Sequence, residues 1–509
     1  MVVGLLGPAP TASAAGTLTL NDADTPTGGT SIEYTGGWSI GGGQHKYQGD
    51  DHYADQRASI AIIRFTGTAI AVYGARAPWH GHALYSVDGG TTRQVDLYSP
   101  QRQDQQTMIS VTGLTAAAHV LRVRPAGTRN AASTGTVISL DKITVTTPPS
   151  APDLSGQFVT RSGSTLQLGG KPYRFTGANA YWMGLDDNIT DSGQPTYPTK
   201  ARIDNALTAA KDAGMTVIRA HTLGISVGCP RCVEPRLGVF QESALDSADY
   251  AISRARQLGL RVLIPLTDQW RYYHGGISVF TSWRGYANAG AATDNSVNAA
   301  NNSQQRAAES HFYTDPGVIA DFRQYVAYLL GHVNRYNGVA WKDDPTILAW
   351  ETGNEIWTAD PQWTQQLARY LKNDLGARQL VADGTAATGM HVADAAIDAP
   401  DVDILGGHFY PVDVAWAAAD ARTAAAAGKV YIIGEYQWTD PAATRELLST
   451  VQATPAISGA LLWTLMPYQE DGRPEPHGDG HAFYNPAVTT VNDTVLDLVR
   501  AHAAALDSG

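Results

Sequence analysis

The apolar positions change their period once along the chain. From residue 17 to about 147 they form short runs of β-branched and aromatic residues separated by turn signals. Ala58 to Tyr73, ASIAIIRFTGTAIAVY, predicts two strands joined at Thr66-Gly67-Thr68. Ala83 to Val87 followed by Asp88-Gly89-Gly90 predicts a hairpin, and Val120 to Val123 and Thr136 to Val145 complete the set. With no helical period in this stretch, residues 17–147 are expected to be a β-sandwich. Thr147-Pro148-Pro149-Ser150-Ala151-Pro152 then reads as a stiff linker, taken as 148–156.

From 157 to 509 apolar strand-like runs alternate with amphipathic helices. Ile203, Ala206, Leu207 and Ala210 keep the helical spacing, and Gly214 closes that helix. Asp315-Pro316 and Asp360-Pro361 are N-cap signals with Pro at the first helical position. The first precedes the stripe Ile319, Phe322, Val326, Leu329 and Val333. Eight strand candidates emerge: Arg174–Asn179, Thr216–Arg219, Arg261–Leu266, Ile347–Trp350, Gln379–Asp383, Ile404–Gly407, Val430–Ile433 and Ala460–Trp463. Eight strand–helix units predict a closed parallel (β/α)₈ barrel, a TIM barrel of the α/β class. An open doubly wound sheet ranks second, because no Gly-rich dinucleotide fingerprint follows the first strand.

Composition narrows the compartment and the partners. Charged residues are 17%, the net charge is −12 and no basic cluster is visible, which argues against nucleic acid. No apolar run is long enough for a membrane span, and no oligomeric state is implied. Residues 1–16, MVVGLLGPAPTASAAG, read as a signal-peptide remnant or tail with an A-x-A site at Ala12-Ser13-Ala14, so secretion is expected. The two cysteines, Cys229 and Cys232, lie in GCPRC; in an oxidising compartment they predict a small-loop disulfide, with free thiols second.

In a (β/α)₈ barrel the chemistry lies at the C-terminal ends of the strands. Those ends are polar and aromatic here: Asn179-Ala180-Tyr181-Trp182, Arg219-Ala220-His221, Asp268-Gln269-Trp270, Glu351 to Glu355, His408 to Pro411, Gly434-Glu435-Tyr436 and Trp463. Glu355 and Glu435, just past the fourth and seventh strands, are the pair that glycoside cleavage needs, one protonated and one ionised. The fourth-strand segment Trp350-Glu351-Thr352-Gly353-Asn354-Glu355 and the seventh-strand Ile433-Gly434-Glu435 resemble glycoside hydrolase family 5, a clan A family. The stretch from Gln157-Phe158-Val159 to Trp182 is most similar to its β-mannanase branch. The resemblance implies a retaining mechanism with Glu355 as acid/base and Glu435 as nucleophile. It further implies that Asn354 bonds the sugar 2-hydroxyl, that Arg219 keeps the nucleophile ionised and that Tyr410, of the His408-x-Tyr410 motif, touches it. Trp463 would be the platform under the sugar. Asn179, His221, Trp182 and Trp270 join these as substrate-binding candidates. A polysaccharide or its oligosaccharides is the expected partner, β-mannan first, with another β-linked glycan such as a glucan or galactan second. Exo action, transglycosylation and, last, a non-catalytic sugar-binding barrel are further alternatives.

About 35 residues between Gly276 and His311, rich in Asn, Ala and Ser, predict a long loop after the third strand, and Trp283 within it and Trp357 after the acid/base are further aromatic candidates. His477 and His481 lie in a Gly/Asp-rich loop where Gly478 and Gly480 oppose a helical zinc pair, so a solvated loop is expected and the barrel needs no metal. In the first domain, Tyr34 to Trp38, Tyr53, Phe65 to Gly74 and Tyr85 to Gly90 resemble galactose-binding-like carbohydrate-binding modules, with Trp38, Trp79 and Tyr53 as candidate binding aromatics. That likeness implies a structural calcium, for which Asp22, Asp24 and Asp141 are the ligand candidates; no other cofactor is expected.

Overall fold

In a computed structural model of the chain, residues 16–23, 30–147, 156–286, 303–356, 360–385, 391–392 and 396–507 are described. The leader-like segment up to residue 15, Asp24, the linker residues 148–155, part of the long loop (287–302) and Trp357 lie outside them. The chain divides into two compact units, 1–153 and 154–509. Among the described residues no helix is long and apolar enough to cross a membrane.

The first unit is all β. Its larger antiparallel sheet has strands Gly16–Asn21, Lys142–Thr147, Ile60–Arg76, Gln103–Pro125, His82–Val87 and Arg93–Asp96 in that order, with Ser31–Thr35 also paired to Ile60–Arg76. A smaller sheet joins Ser39–Gly42, Asp50–Ala54 and Ile138–Leu140. Leu20, Ile63, Val72, Leu121 and Val145 of the first sheet share one core with Ile138 and Leu140 of the second. The hairpin expected at Asp88-Gly89-Gly90 is present, with φ 52° at Asp88 and 70° at Gly89, the left-handed pair a two-residue turn favours. The turn expected at Thr66-Gly67-Thr68 is not. Ile60–Arg76 runs through it as one strand with a register shift between Gly67 and Ala69. Gly67 is there for close approach: a Cβ on it would lie 2.6 Å from the Thr146 carbonyl oxygen.

The second unit is a closed barrel of eight parallel strands in sequence order: Phe175–Asn179, Val217–Arg219, Arg261–Pro265, Ile347–Glu351, Leu380–Asp383, Ile404–Phe409, Val430–Gln437 and Ile457–Trp463. The last pairs with the first, Phe175 opposite Gly459. The first, third and fourth strands are buried at every position, as parallel strands covered by helices must be. A small sheet that the apolar pattern did not announce, Thr160–Ser162, Thr165–Leu168 and Lys171–Tyr173, precedes the barrel. Its Leu166, with Val159, packs against Val217, Leu263, Leu348 and Val430 inside the strands, closing one end of the core.

The helices start where their caps predict. Thr199 accepts from the Arg202 N–H, Asp315 from Val318 and Asp360 from Gln362. Helix Lys200–Asp212 buries Ile203, Ala206, Leu207 and Ala210. Helix Pro316–Gly331 buries Val318, Phe322, Val326 and Leu329. Ile319 is only half-buried, and Val333, past the helix end, is 54% exposed, so the stripe is rotated from the expected one. The stretch expected as one long loop holds helices Ile277–Trp283 and Ser303–Thr314, because Ile277, Val279, Phe280 and Phe312 are apolar enough to join the core.

Candidate active site

Arg219 ends the second strand and has no exposed surface. A guanidinium there needs acceptors for its donors. Nε donates to Glu351 Oε2 at 2.7 Å, Nη1 to Glu435 Oε1 at 2.7 Å and to Asn179 Oδ1 at 3.0 Å, and Nη2 to Asn354 Oδ1 at 2.8 Å. Nη1 also lies 3.2 Å from His221 Nε2. One buried cation thus ties together strands one, two, four and seven. Glu351, the first acid of the fourth-strand motif, is a counter-charge to Arg219 that had been given no role from sequence.

Glu435 and Glu355 meet above this node. Glu435 lies within the seventh strand rather than past its end, where a register shift between Ile433 and Tyr436 turns it inward. Glu355 sits after the fourth strand with a left-handed backbone, φ 53°. Tyr410 donates its hydroxyl to Glu435 Oε2 at 2.8 Å. His408 Nδ1 lies 2.7 Å from Glu355 Oε1 and 3.6 Å from Glu435 Oε2. Trp270 Nε1 donates to Glu355 Oε2 at 2.5 Å. One oxygen of each glutamate and one ring nitrogen of His408 lie within 4.8 Å of one another. That is also a metal-like grouping, but each carboxylate oxygen named here already accepts from Arg219, Tyr410, His408 or Trp270.

Burial would strip His408 of its proton, but the Glu435 and Glu355 carboxylates outweigh it and hold its pKa above the ordinary 6.5. Burial pushes Glu355 up, yet the His408 and Trp270 hydrogen bonds and the charges of His408 and Arg219 bring it below its usual value. Glu435 is raised, by burial first and by Glu355 beside it, against the pull of His408 and Arg219. His221 is pushed well down by burial and by Arg219, so it is neutral. These directions favour a proton held between His408 and Glu355 along their 2.7 Å hydrogen bond.

The centre opens into a cavity of about 480 Å³ lined by Glu355, Glu435, Asn354, His221, Tyr410, Trp270 and Trp463, within the usual range for small-molecule sites. Two fully buried polar atoms on its lining have no hydrogen-bond partner, Asp268 Oδ2 and His221 Nδ1. Burial pushes the Asp268 carboxyl well up. Its other oxygen accepts from the Trp270 N–H at 2.9 Å and from Asn354 Nδ2 at 3.2 Å.

Four binding candidates do not line the pocket: Arg219 and His408 lie behind the glutamates they bond, and Trp182 and Asn179 are packed away from it. Trp182 is 0% exposed, donates to the Leu465 carbonyl and packs under Arg202. Asn179 lies beneath the floor, donating to the Gly434 and Leu462 carbonyls. Both are structural because they follow the inward turn of the first strand's end. Trp283 packs edge-on against Phe280, away from the cavity. His477 and His481 lie in a non-helical, partly exposed loop, as expected, and also line the cavity with Asp479 and with Tyr181, Asp187, Tyr272, Tyr273 and His274. Of these, Tyr181 is visible in the sequence at the first strand's end, and Tyr272, Tyr273 and His274 follow closely on the polar third-strand end Asp268-Gln269-Trp270.

Cys229 and Cys232 lie with Cα atoms 5.0 Å apart, a separation that a disulfide spans. In the first unit Asp22 and Asp141 are buried. Asp22 is engaged by His52 Nδ1 at 2.6 Å and Asp141 by the Tyr47 N–H at 2.8 Å, while Asp22 Oδ1 and Asp141 Oδ2 lack partners. Among the described residues they form no group of three close ligands, fewer than the six to eight oxygens calcium takes. Trp79 and Tyr53 are exposed, at 41% and 40%, whereas Trp38 packs against the core and Tyr34.

Comparison with known proteins accords with this geometry. The chain is similar to mannan endo-1,4-beta-mannosidase 3 of Arabidopsis thaliana, 29% identical over 237 residues that are 45% of this chain and 51% of that protein. It is similar to putative mannan endo-1,4-beta-mannosidase 5 of Oryza sativa subsp. japonica, 30% identical over 225 residues, 43% and 40% of the two chains. It thus spans about half the length, or less, of these curated relatives. The fold is that of the endo-beta-1,4-mannanase from Thermotoga petrophila, with a TM-score of 0.52, 23% identity and coverage of 67% of this chain and 78% of that one. It is also that of a glycoside hydrolase family 5 mannosidase from Rhizomucor miehei, with a TM-score of 0.56, 17% identity and coverage of 70% and 99%. The family model described as GH family 5 beta-mannosidase-like matches residues 156–448, more than half of the sequence. The chain belongs to glycoside hydrolase family 5, within its β-mannosidase-like group.

Proposed function

We propose that the chain hydrolyses β-mannosides with retention of configuration, through a covalent intermediate on Glu435. The observation that carries this is the closeness of the two carboxylates, each with an oxygen within 4.8 Å of the other and of His408. Retaining enzymes need carboxyl groups ~5–5.5 Å apart, and inverting ones leave ~6.5–9.5 Å for a water. Glu435 attacks C1 while Glu355, taking the proton held between it and His408, protonates the departing oxygen. Water then enters, Glu355 removes its proton, and the C1–Glu435 bond breaks. Arg219 and Tyr410 stabilise Glu435 each time it leaves as a carboxylate. Trp463 lies under the sugar, and Asn354, His221 and Asp268 face its hydroxyls. The mannosidase names of the relatives support mannose as that sugar.

The test is to incubate the full chain with mannan, glucan, galactan and xylan oligosaccharides and with aryl β-glycosides, following the product anomer by NMR. Mannosides are expected to be cleaved fastest and to release the β-anomer first. An α-anomer first would overturn the mechanism.

The proton inventory sets the pH profile. As pH rises through the raised pKa of His408, the Glu355–His408 pair loses its one proton and the acid is gone. As pH falls through the raised pKa of Glu435, the nucleophile is protonated. The kcat/KM profile on an aryl β-mannoside is therefore expected to be a bell, with its acidic limb above 4.5 and its alkaline limb above 6.5. An alkaline limb below 6.5 would place the proton elsewhere.

The proposal includes export, supported by the leader-like residues 1–16 and by the proximity of Cys229 and Cys232, which we read as a disulfide. It also includes glycan binding by the first unit, supported by exposed Trp79 and Tyr53.

A further inference from the structure

The barrel order fixes which way a bound chain runs. Strands four and eight face each other across a ring of eight. Glu355 follows strand four and Trp463 ends strand eight. The leaving group departs past Glu355, while the sugar attacked by Glu435 rests on Trp463. Anything that sugar carries on its non-reducing side must continue past Trp463, over the loops that follow strands eight and one.

That side is walled by a continuous chain of polar contacts. Trp463 Nε1 donates to Asp479 Oδ2 at 2.6 Å, and His477 Nε2 lies 3.0 Å from the same oxygen. His477 Nδ1 is 3.1 Å from the Tyr181 hydroxyl, which donates to Asp187 Oδ1 at 3.3 Å. The Tyr181 ring stacks on Trp463 with centroids 5.7 Å apart. Tyr181, Asp187, His477, Asp479 and Trp463 all line the cavity. Behind them Arg202, 4% exposed, grips both loops. It donates to Asp186 Oδ2 at 2.8 Å, next to Asp187, and to Glu475 Oε2 at 2.9 Å, two residues before His477. Losing one partner of a buried pair like this is strongly destabilising, so the wall is a fixed part of the fold rather than a lid.

We propose, resting on the hydrolase reading above, that this wall makes the chain exo-acting: it takes the non-reducing end of a β-mannoside and releases one mannose per turnover. Asp187 and Asp479 are the recognition groups for the terminal hydroxyls. A carboxylate accepts strongly from a sugar hydroxyl. The terminal sugar of a 1,4-linked chain has a free 4-hydroxyl to donate. An internal sugar has a glycosidic oxygen there, and its neighbour would have to occupy the space of Tyr181 and His477.

The experiment is a time course with the full chain on mannohexaose reduced at its reducing end, and on the same compound methylated at O4 of its non-reducing terminal sugar. Mannose is expected as the first and main product, with reduced pentaose and tetraose appearing in turn. The capped compound should be cleaved about 100-fold more slowly or worse, as a site built around a hydroxyl rejects its replacement. Early mixed oligomers with equal cleavage of the capped substrate would overturn the proposal while leaving the hydrolase reading intact. Cleavage of neither compound, nor of aryl β-mannosides, would remove both. Asp187→Ala should raise KM for mannobiose about 10- to 100-fold, the loss of a charged hydrogen bond, and change kcat much less. An unchanged KM would remove Asp187 from the recognition set.

Discussion

Glu435→Ala is expected to lower turnover on natural β-mannosides by about 10⁴-fold or more, the scale of removing a nucleophile that acts as part of a unit. The carboxylate is held by Arg219 and Tyr410 at 2.7 and 2.8 Å and faces the cavity floor. Among the described carboxylates that line the cavity, Glu435 alone accepts from both Arg219 and Tyr410. The variant leaves a space on the face of C1 opposite the leaving group. Azide entering that space should attack an activated aryl β-mannoside and give the α-mannosyl azide, a product of inverted configuration. Azide rescue with that stereochemistry identifies the position as the nucleophile. Retained activity, or rescue giving only the β-azide, would assign the attack to another group.

Glu355→Ala should separate substrates by their leaving groups. Oligosaccharides and alkyl mannosides need the departing oxygen protonated and should lose about 10²- to 10⁴-fold, the usual reach of general acid catalysis. A 2,4-dinitrophenyl mannoside leaves as a stable anion, so its first step should be nearly spared. The intermediate on Glu435 should then accumulate, because Glu355 is also the base for water. Added azide should release it as the β-azide, the opposite stereochemistry to the Glu435 variant. The two variants check one another, since a mistaken exchange of roles would exchange the two azides. Equal losses on both substrate types would undo the acid/base role of Glu355.

Much of this was legible because it rests on local rules. Buried parallel strands must be apolar throughout, so the eight barrel runs stood out. Asp-Pro pairs at 315–316 and 360–361 announced helix starts, since cap and ring act within one turn. The segment from Trp350 to Glu355 placed one carboxyl and its asparagine together in sequence. What was not legible depends on contacts distant along the chain. Trp182 is core because the first strand's end turns it towards Arg202 and Leu465, a matter of side-chain direction. His477 and Asp479 reach the cavity because Arg202, some 270 residues earlier, holds Glu475. Gly67 marks a close approach to Thr146 rather than a turn, because its partner strand lies near the end of the unit. Asp268 gave only a polar strand end, and its burial and missing partner appear once the barrel closes.

The left-handed backbone at Glu355 has a consequence for heat resistance. A residue with a side chain at φ 53° stores on the order of 1–3 kcal/mol of strain, and this one also places an acid beside a second buried acid. Glycine would relax the backbone, but it would also take from His408 and Trp270 the carboxylate they bond. A buried charge left without its partner costs more than that strain, so Glu355→Gly is expected to melt no higher than the parent chain in a calorimetric scan, while losing its chemistry. At this position the group that does the chemistry also holds its neighbours in place, and the strain is the smaller of the two effects.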